Sequence, residues 1–240
     1  FNAYFVAAIA GGVPWATFAW TAALAASYAL ILLSAPFVGA WADAHGAKKR
    51  LLAFTTAGCV LGTAGLALAG PGDIGVAIGF LVLSNYCFGS GENLIAAFLP
   101  ELADDDSLGK ISGWGWSLGY VGGMLALGLS LGYVLWAQAQ GQKAEQFVPV
   151  TMGITAAVFA VAALFTLALL RERAQPQTGP AGVAGWRESL RQLHRTFQQA
   201  RRYRDFMWLL ACVAAYQGGV AVAITLAAIY AEQVIGFVQQ

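Results

Sequence analysis

Charge is what this sequence has least of: Asp, Glu, Lys and Arg make up 10% of its 240 residues, against 59% hydrophobic ones. A soluble domain carries roughly a quarter charged residues, so lipid rather than water must solvate most of this chain. Cysteine is scarce too, and Cys59, Cys87 and Cys212 each sit inside an apolar run, where a free thiol packs as a small hydrophobe and implies no disulfide framework. His45 and His194 lie far apart without partner ligands, which argues against a metal site. The single acidic run, Asp104-Asp105-Asp106, lacks the alternating ligand spacing of a calcium loop and reads as a solvated turn capping the helix that follows. There is no Gly-x-x-x-x-Gly-Lys-Ser/Thr phosphate loop, no nucleophile elbow and no zinc helix. The sequence therefore does not read as an enzyme, no cofactor is expected, and any work must draw on an ion gradient or on the substrate's own.

What is abundant is long apolar runs. Six of them reach bilayer length: Phe18–Trp41, Leu51–Ala69, Ile74–Leu99, Ile111–Ala137, Phe147–Leu170 and Phe206–Tyr230. Glu92 is the one charge inside them. With no water in hydrocarbon, such runs must close their backbone hydrogen bonds internally, and they are far longer than the roughly ten alternating residues of a barrel strand. The reading is all-α, a polytopic transmembrane bundle. An earlier apolar stretch, Phe1 to Val13, stops at Pro14 and has no basic leader, so it reads as the outer half of a first helix and not as a signal peptide.

Orientation follows from the cations. Lys48, Lys49, Arg50, Lys110 and the arginines from Arg171 to Arg204 all fall in connections on one side, while Lys143 stands alone on the other. Basic loops stay cytoplasmic, which predicts a cytoplasmic N-terminus and a multi-pass protein of the cell (inner) membrane. Three regions follow: a six-helix bundle over 1–170, a cytoplasmic linker over 171–205, and the first helix of a further bundle over 206–240. Within the linker, Trp186, Leu190, Leu193 and Phe197 recur at helical spacing among arginines, the pattern of an amphipathic helix on an anionic leaflet rather than of a nucleic-acid arm.

The connection after the second helix reads Gly39-Ala-Trp-Ala-Asp43-Ala-His-Gly46-Ala-Lys48-Lys49-Arg50. A glycine, an acid four residues on, a glycine three further and then a basic cluster resemble the signature of the major facilitator superfamily, although Ala44 and Ala47 stand where basic residues are usual. The resemblance implies a conformational latch of Gly39, Asp43, Gly46, Lys48 and Arg50. Gly39 would permit close helix contact, Gly46 a tight turn, and Asp43 a cap on a neighbouring helix. A second stretch runs from Ser84-Asn85 through Gly89-Ser90-Gly91-Glu92-Asn93 and Pro100-Glu101-Leu102 to Ser112-Gly-Trp114-Gly-Trp116 and Gly119-Tyr120-Val-Gly122-Gly123. It is similar to the bacterial relatives of the vacuolar amino-acid effluxers, a branch of that superfamily. That likeness implies a secondary carrier working by alternating access on a small-molecule substrate, with amino-acid efflux coupled to protons as its specific form.

Glu92 is the leading candidate for chemistry. It lies roughly 8 Å from the middle of its helix, still inside a hydrocarbon core about 30 Å thick, where an ionisable group faces protein or a water-filled cavity. Asn85, Gly89, Glu92 and Asn93 share one side at i, i+4, i+7 and i+8. The resemblance places that side beside Asn2, Tyr216 and Gln217 around a central cavity. Glu92 is then a coupling or substrate-amine site, against a purely structural carboxyl held by Asn and Ser neighbours or by the basic loop. Gly115, Gly119 and Gly123 form a small-xxx-small stripe suited to close helix packing, and Trp114, Trp116 and Tyr120 suit interfacial anchoring. A seven-helix receptor or retinal protein is excluded by the charge bias and the lack of a lysine in the last span. A channel would need charge rings or filter carbonyls, which are not visible.

Overall fold

The computed structural model describes residues 1–102, 104, 106–170, 172, 191, 195, 198–199 and 201–233; side chains at 43, 44, 225, 228, 229 and 231–233 fall outside the description. Helices account for nearly all of it: α1 (Asn2–Tyr4) running into a π-helical turn Phe5–Ile9, then α2 (Ala16–His45), α3 (Lys48–Gly65), α4 (Ile74–Leu102), α5 (Leu108–Ala139), α6 (Ala144–Leu169) and α7 (Arg204–Gln233). Among the described residues there is no strand. Six helices are long and apolar enough to cross a membrane: Ala16–Ala42, Lys48–Leu68, Ile74–Leu102, Leu108–Ala139, Ala144–Leu169 and Arg204–Ile224. Each coincides with one of the six apolar runs. The amphipathic segment expected over 186–197 and His194 lie outside the described residues, apart from helical backbone at Arg191 and Arg195.

The turns follow local chemistry. Gly46 adopts φ 55°, the left-handed conformation a side chain resists, and this ends α2 so that the Ala47 N–H donates to the Ala42 carbonyl at 3.1 Å. On the opposite side Gly72, at φ 91°, donates its N–H to the Ile9 carbonyl at 2.9 Å, tying the α3–α4 turn to the end of the first segment. Before α5, the Ser107 hydroxyl donates to the Asp104 carbonyl at 3.1 Å; Asp105 lies outside the described residues.

α4 is the centre of the bundle, packed on both α2 and α3; α3 also packs on α6, and α6 on α5. Two apolar clusters hold these helices at the two ends. The first gathers Tyr4, Phe5, Ile9, Trp20, Leu66 and Leu81 around the first segment, with Leu226 of α7 packed against it. The second, beside the α2–α3 turn, joins Ala42, Leu52, Leu94 and Phe98, with Leu167 and Leu170 against them. Elsewhere the large apolar side chains point outward, Leu118, Met124, Leu127 and Leu131 of α5 among them. An apolar exterior gains nothing by collapsing in lipid, so helix association falls to close packing and interhelical hydrogen bonds.

Both appear between α3 and α4. An added Cβ at Gly58 would lie 2.6 Å from Cys87 Sγ, at Gly62 2.9 Å from the Ser84 backbone nitrogen, and at Gly65 2.5 Å from the Phe80 ring. Where these glycines admit the partner helix, the Ser84 and Thr63 hydroxyls meet at 2.8 Å, with Cys59 Sγ 3.8 Å from Ser84 Oγ. Cys59, Cys87 and Cys212 are free thiols, the first two buried and the third exposed. Gly115, Gly119 and Gly123 differ from this: an added Cβ at any of them meets nothing within 4 Å among the described residues. A close approach that the sequence does not single out lies on α3, at i, i+4 and i+7.

Candidate functional site on the fourth helix

One helix places the main candidates. At 100° per residue, Cys87, Ser90, Gly91, Leu94 and Phe98 share the face of α4 that is buried on α2 and α3. Glu92 lies on the opposite face and is exposed, flanked by Phe88, Ile95 and Ala96, which are exposed as well. Asn85 stands two turns earlier on the same stripe, about 10 Å along the axis. Its neighbours turn aside: Ser84 bonds to α3, while the Tyr86 hydroxyl donates to Ser34 Oγ of α2 at 3.1 Å. The Asn85 Nδ2 is buried and has no hydrogen-bond partner among the described residues. Gly89 lets α2 close on α4, since an added Cβ would sit 2.6 Å from Ile31 Cδ1.

Asn93 parts company with Glu92. It is one of the residues lining a cavity of about 150 Å³ between α2 and α4, together with Gly39, Ala42, Lys48, Ser90 and Leu94. Ser90 is 5% exposed. Ala35, Gly39 and Ala42 are too small to fill the space opposite α4, which is why it stays open. Thus Asn93 and the residues of the basic turn, which the sequence assigns to different tasks, line one cavity.

At the turn itself, the Lys48 ammonium pairs with Glu101 at 2.9 Å, both side chains about 15% exposed or less. The Lys48 and Lys49 backbone N–H groups donate to the two oxygens of Glu172 at 2.6 and 3.4 Å. The carboxylate found on a helix amino terminus here is therefore Glu172; the Asp43 side chain, expected in such a role, lies outside the described ones. Arg50 is exposed, and Gly39 has nothing within 4 Å of an added Cβ. His45 stacks on Trp41, ring centroids 4.5 Å apart, with Nδ1 2.9 Å from the Trp41 carbonyl. No group of three His, Cys, Asp or Glu that would suit a metal occurs among the described residues.

The remaining candidates are not gathered around Glu92. Asn2 opens α1 and is half-buried, whereas Tyr216 and Gln217 are exposed on α7, whose main contact with the rest is at α1. Sequence reasoning passed over Glu101 and Glu172 as partners of Lys48. Glu101 carried a usable signal, an acid directly after Pro100 at the end of a span facing a basic turn. Glu172 carried none, because its partner is more than a hundred residues away.

Residues 16–240 match the family described as vacuole effluxer Atg22 like. The chain belongs to that family. An uncharacterized MFS-type transporter from Bacillus subtilis, YxiO, is 26% identical over 215 residues, covering 86% of this chain and 48% of its own length. The chain thus spans about half the length of that curated relative. No solved structure matches it. Family and spans together make this a multi-pass helical membrane protein of that family, and the sequence motifs that resemble the Atg22-like branch fall inside the matched region.

Proposed function

We propose that the protein is a secondary carrier that moves a small solute by alternating access, with Glu92 as the protonatable coupling group or as the carboxylate that holds a substrate amine. The observation behind this reading is the placement of Glu92 within a membrane span, on the face of α4 that α2 and α3 leave uncovered. A carboxylate against lipid is costly enough that such a face must look onto protein or water, and an aqueous cavity at mid-membrane is what a rocking carrier requires. Asn85, on the same stripe and with a buried amide lacking a partner, is the second group of the site. Asn2, Tyr216 and Gln217 complete it as the second bundle closes, while Asn93 serves from the adjoining cavity between α2 and α4. Gly39, Asp43, Gly46, Lys48 and Arg50 serve as the latch on the cytoplasmic face, with the N-terminus on that same side, and Gly115, Gly119 and Gly123 accept a helix beyond those described. The family description names an effluxer; amino-acid efflux driven by protons is the specific form of the proposal, and the partners are then lipid, solute and proton, with no nucleic acid and no cofactor.

Counterflow tests this. Vesicles containing the complete natural protein and preloaded with unlabelled amino acids are expected to take up the labelled amino acid transiently above equilibrium. Uptake that only equilibrates, at a rate indifferent to the internal load, would mark a channel and refute the carrier mechanism.

A further inference from the structure

The first N–H groups of a helix have no partner within it, and at the start of α3 the capping position is Ala47, which has no side-chain acceptor. The missing acceptor arrives from the far end of α6. There Leu170 turns extended (φ −67°, ψ 121°) and packs with Leu167 on the Ala42, Leu52, Leu94 and Phe98 cluster. Three residues beyond the end of α6, Glu172 sets one carboxylate oxygen 2.6 Å from the Lys48 nitrogen and the other 3.4 Å from the Lys49 nitrogen. The chain leaving α6 is thus held at an apolar point and an ionic one. A carboxylate suits the place: the helix amino end carries partial positive charge, and bonds to an ionised acceptor are about twice as strong as neutral ones.

We propose that Glu172 is an anchor that fastens the beginning of the connection between α6 and α7 to the amino end of α3. Glu172 is then a fixed point on the first group of helices. The Lys48–Glu101 pair, closed at 2.9 Å, extends the same fastening to α4. Two of the orphan N–H groups at the positive end of α3, those of Lys48 and Lys49, thus find their acceptor within this group of helices. This inference concerns the assembly of the cytoplasmic end and does not depend on proton coupling at Glu92.

Amide hydrogen exchange on the complete protein in detergent tests it without any transport assay. In Glu172→Ala, exchange in the first turn of α3 is expected to rise at least about tenfold, the size of effect that charge-assisted hydrogen bonds carry. The rise should be smaller in Glu172→Gln, which keeps one acceptor, and absent in Glu145→Ala at the other end of α6. Unchanged protection of that turn in Glu172→Ala overturns the anchor, and so does a loss spread evenly over α5 and α6. If Glu172→Ala does not fold, Glu172→Gln decides by the same comparison: faster exchange confined to that turn supports the anchor and wild-type exchange overturns it.

Discussion

Glu92→Gln is expected to leave a protein that inserts and folds but no longer couples transport to a proton gradient. Gln matches Glu in volume and keeps its hydrogen-bonding reach, so the packing of α4 on α2 and α3, which uses the opposite face, is untouched. What disappears is the charge and the proton. Gradient-driven transport should fall at least about tenfold, equivalent to some 1.4 kcal/mol of lost driving interaction, and the residual rate should become flat with pH. Exchange of labelled for unlabelled solute, which needs no net proton movement, should persist if Glu92 serves coupling and vanish if it holds the substrate amine. Unchanged transport with an unchanged pH profile would reduce Glu92 to a structural carboxyl.

The largest stability effect is expected at Gly62. A Cβ there would meet the Ser84 nitrogen at 2.9 Å and the Ser84 Cα at 3.0 Å, main-chain atoms that cannot swing aside. Gly62→Val must therefore push α3 away from α4. Overpacking of this kind costs about 1–3 kcal/mol. Separation also stretches the Ser84–Thr63 hydrogen bond and loosens the neighbouring contacts at Gly58 and Gly65, and interhelical bonds in membranes add on average about 0.6 kcal/mol each. The thermal midpoint in detergent should drop by roughly 5–10 °C, taking about 2–4 °C per kcal/mol for a chain of this size. Gly132→Val, where the added Cβ meets nothing within 4 Å, should stay within about 0.5 kcal/mol of the parent. Equal midpoints for the two variants would mean that α3 and α4 do not pack as described.

These two positions also show what the sequence could and could not disclose. The six spans were legible because hydrocarbon imposes length and apolarity on each one separately, with no need to know its neighbours. Gly62 was not, because a glycine stripe states only that some helix can come close; whether one does depends on partners that local spacing leaves unspecified. The more regular stripe on α5 drew attention, and the contact at Gly58, Gly62 and Gly65 of α3 did not. Glu92 and Asn93 share one side by helical spacing from Asn85, yet the 100° between them turns one toward the uncovered face and the other into the cavity beside Gly39. Glu172 was beyond reach for a similar reason, since its role is set by how α6 returns to the α2–α3 corner and not by anything around residue 172.

The claim beneath all of this is that lipid surrounds these helices and the placement of the cations fixes which side each connection faces. It is tested most directly by labelling intact cells with a membrane-impermeant thiol reagent, in a background where Cys59, Cys87 and Cys212 are replaced by Ala. Lys143→Cys, at the start of α6, is predicted to react from outside, and Lys110→Cys, at the start of α5, only after the membrane is opened. Reaction of Lys110→Cys in sealed cells, with Lys143→Cys silent, would contradict the orientation and the cavity assignment built on it.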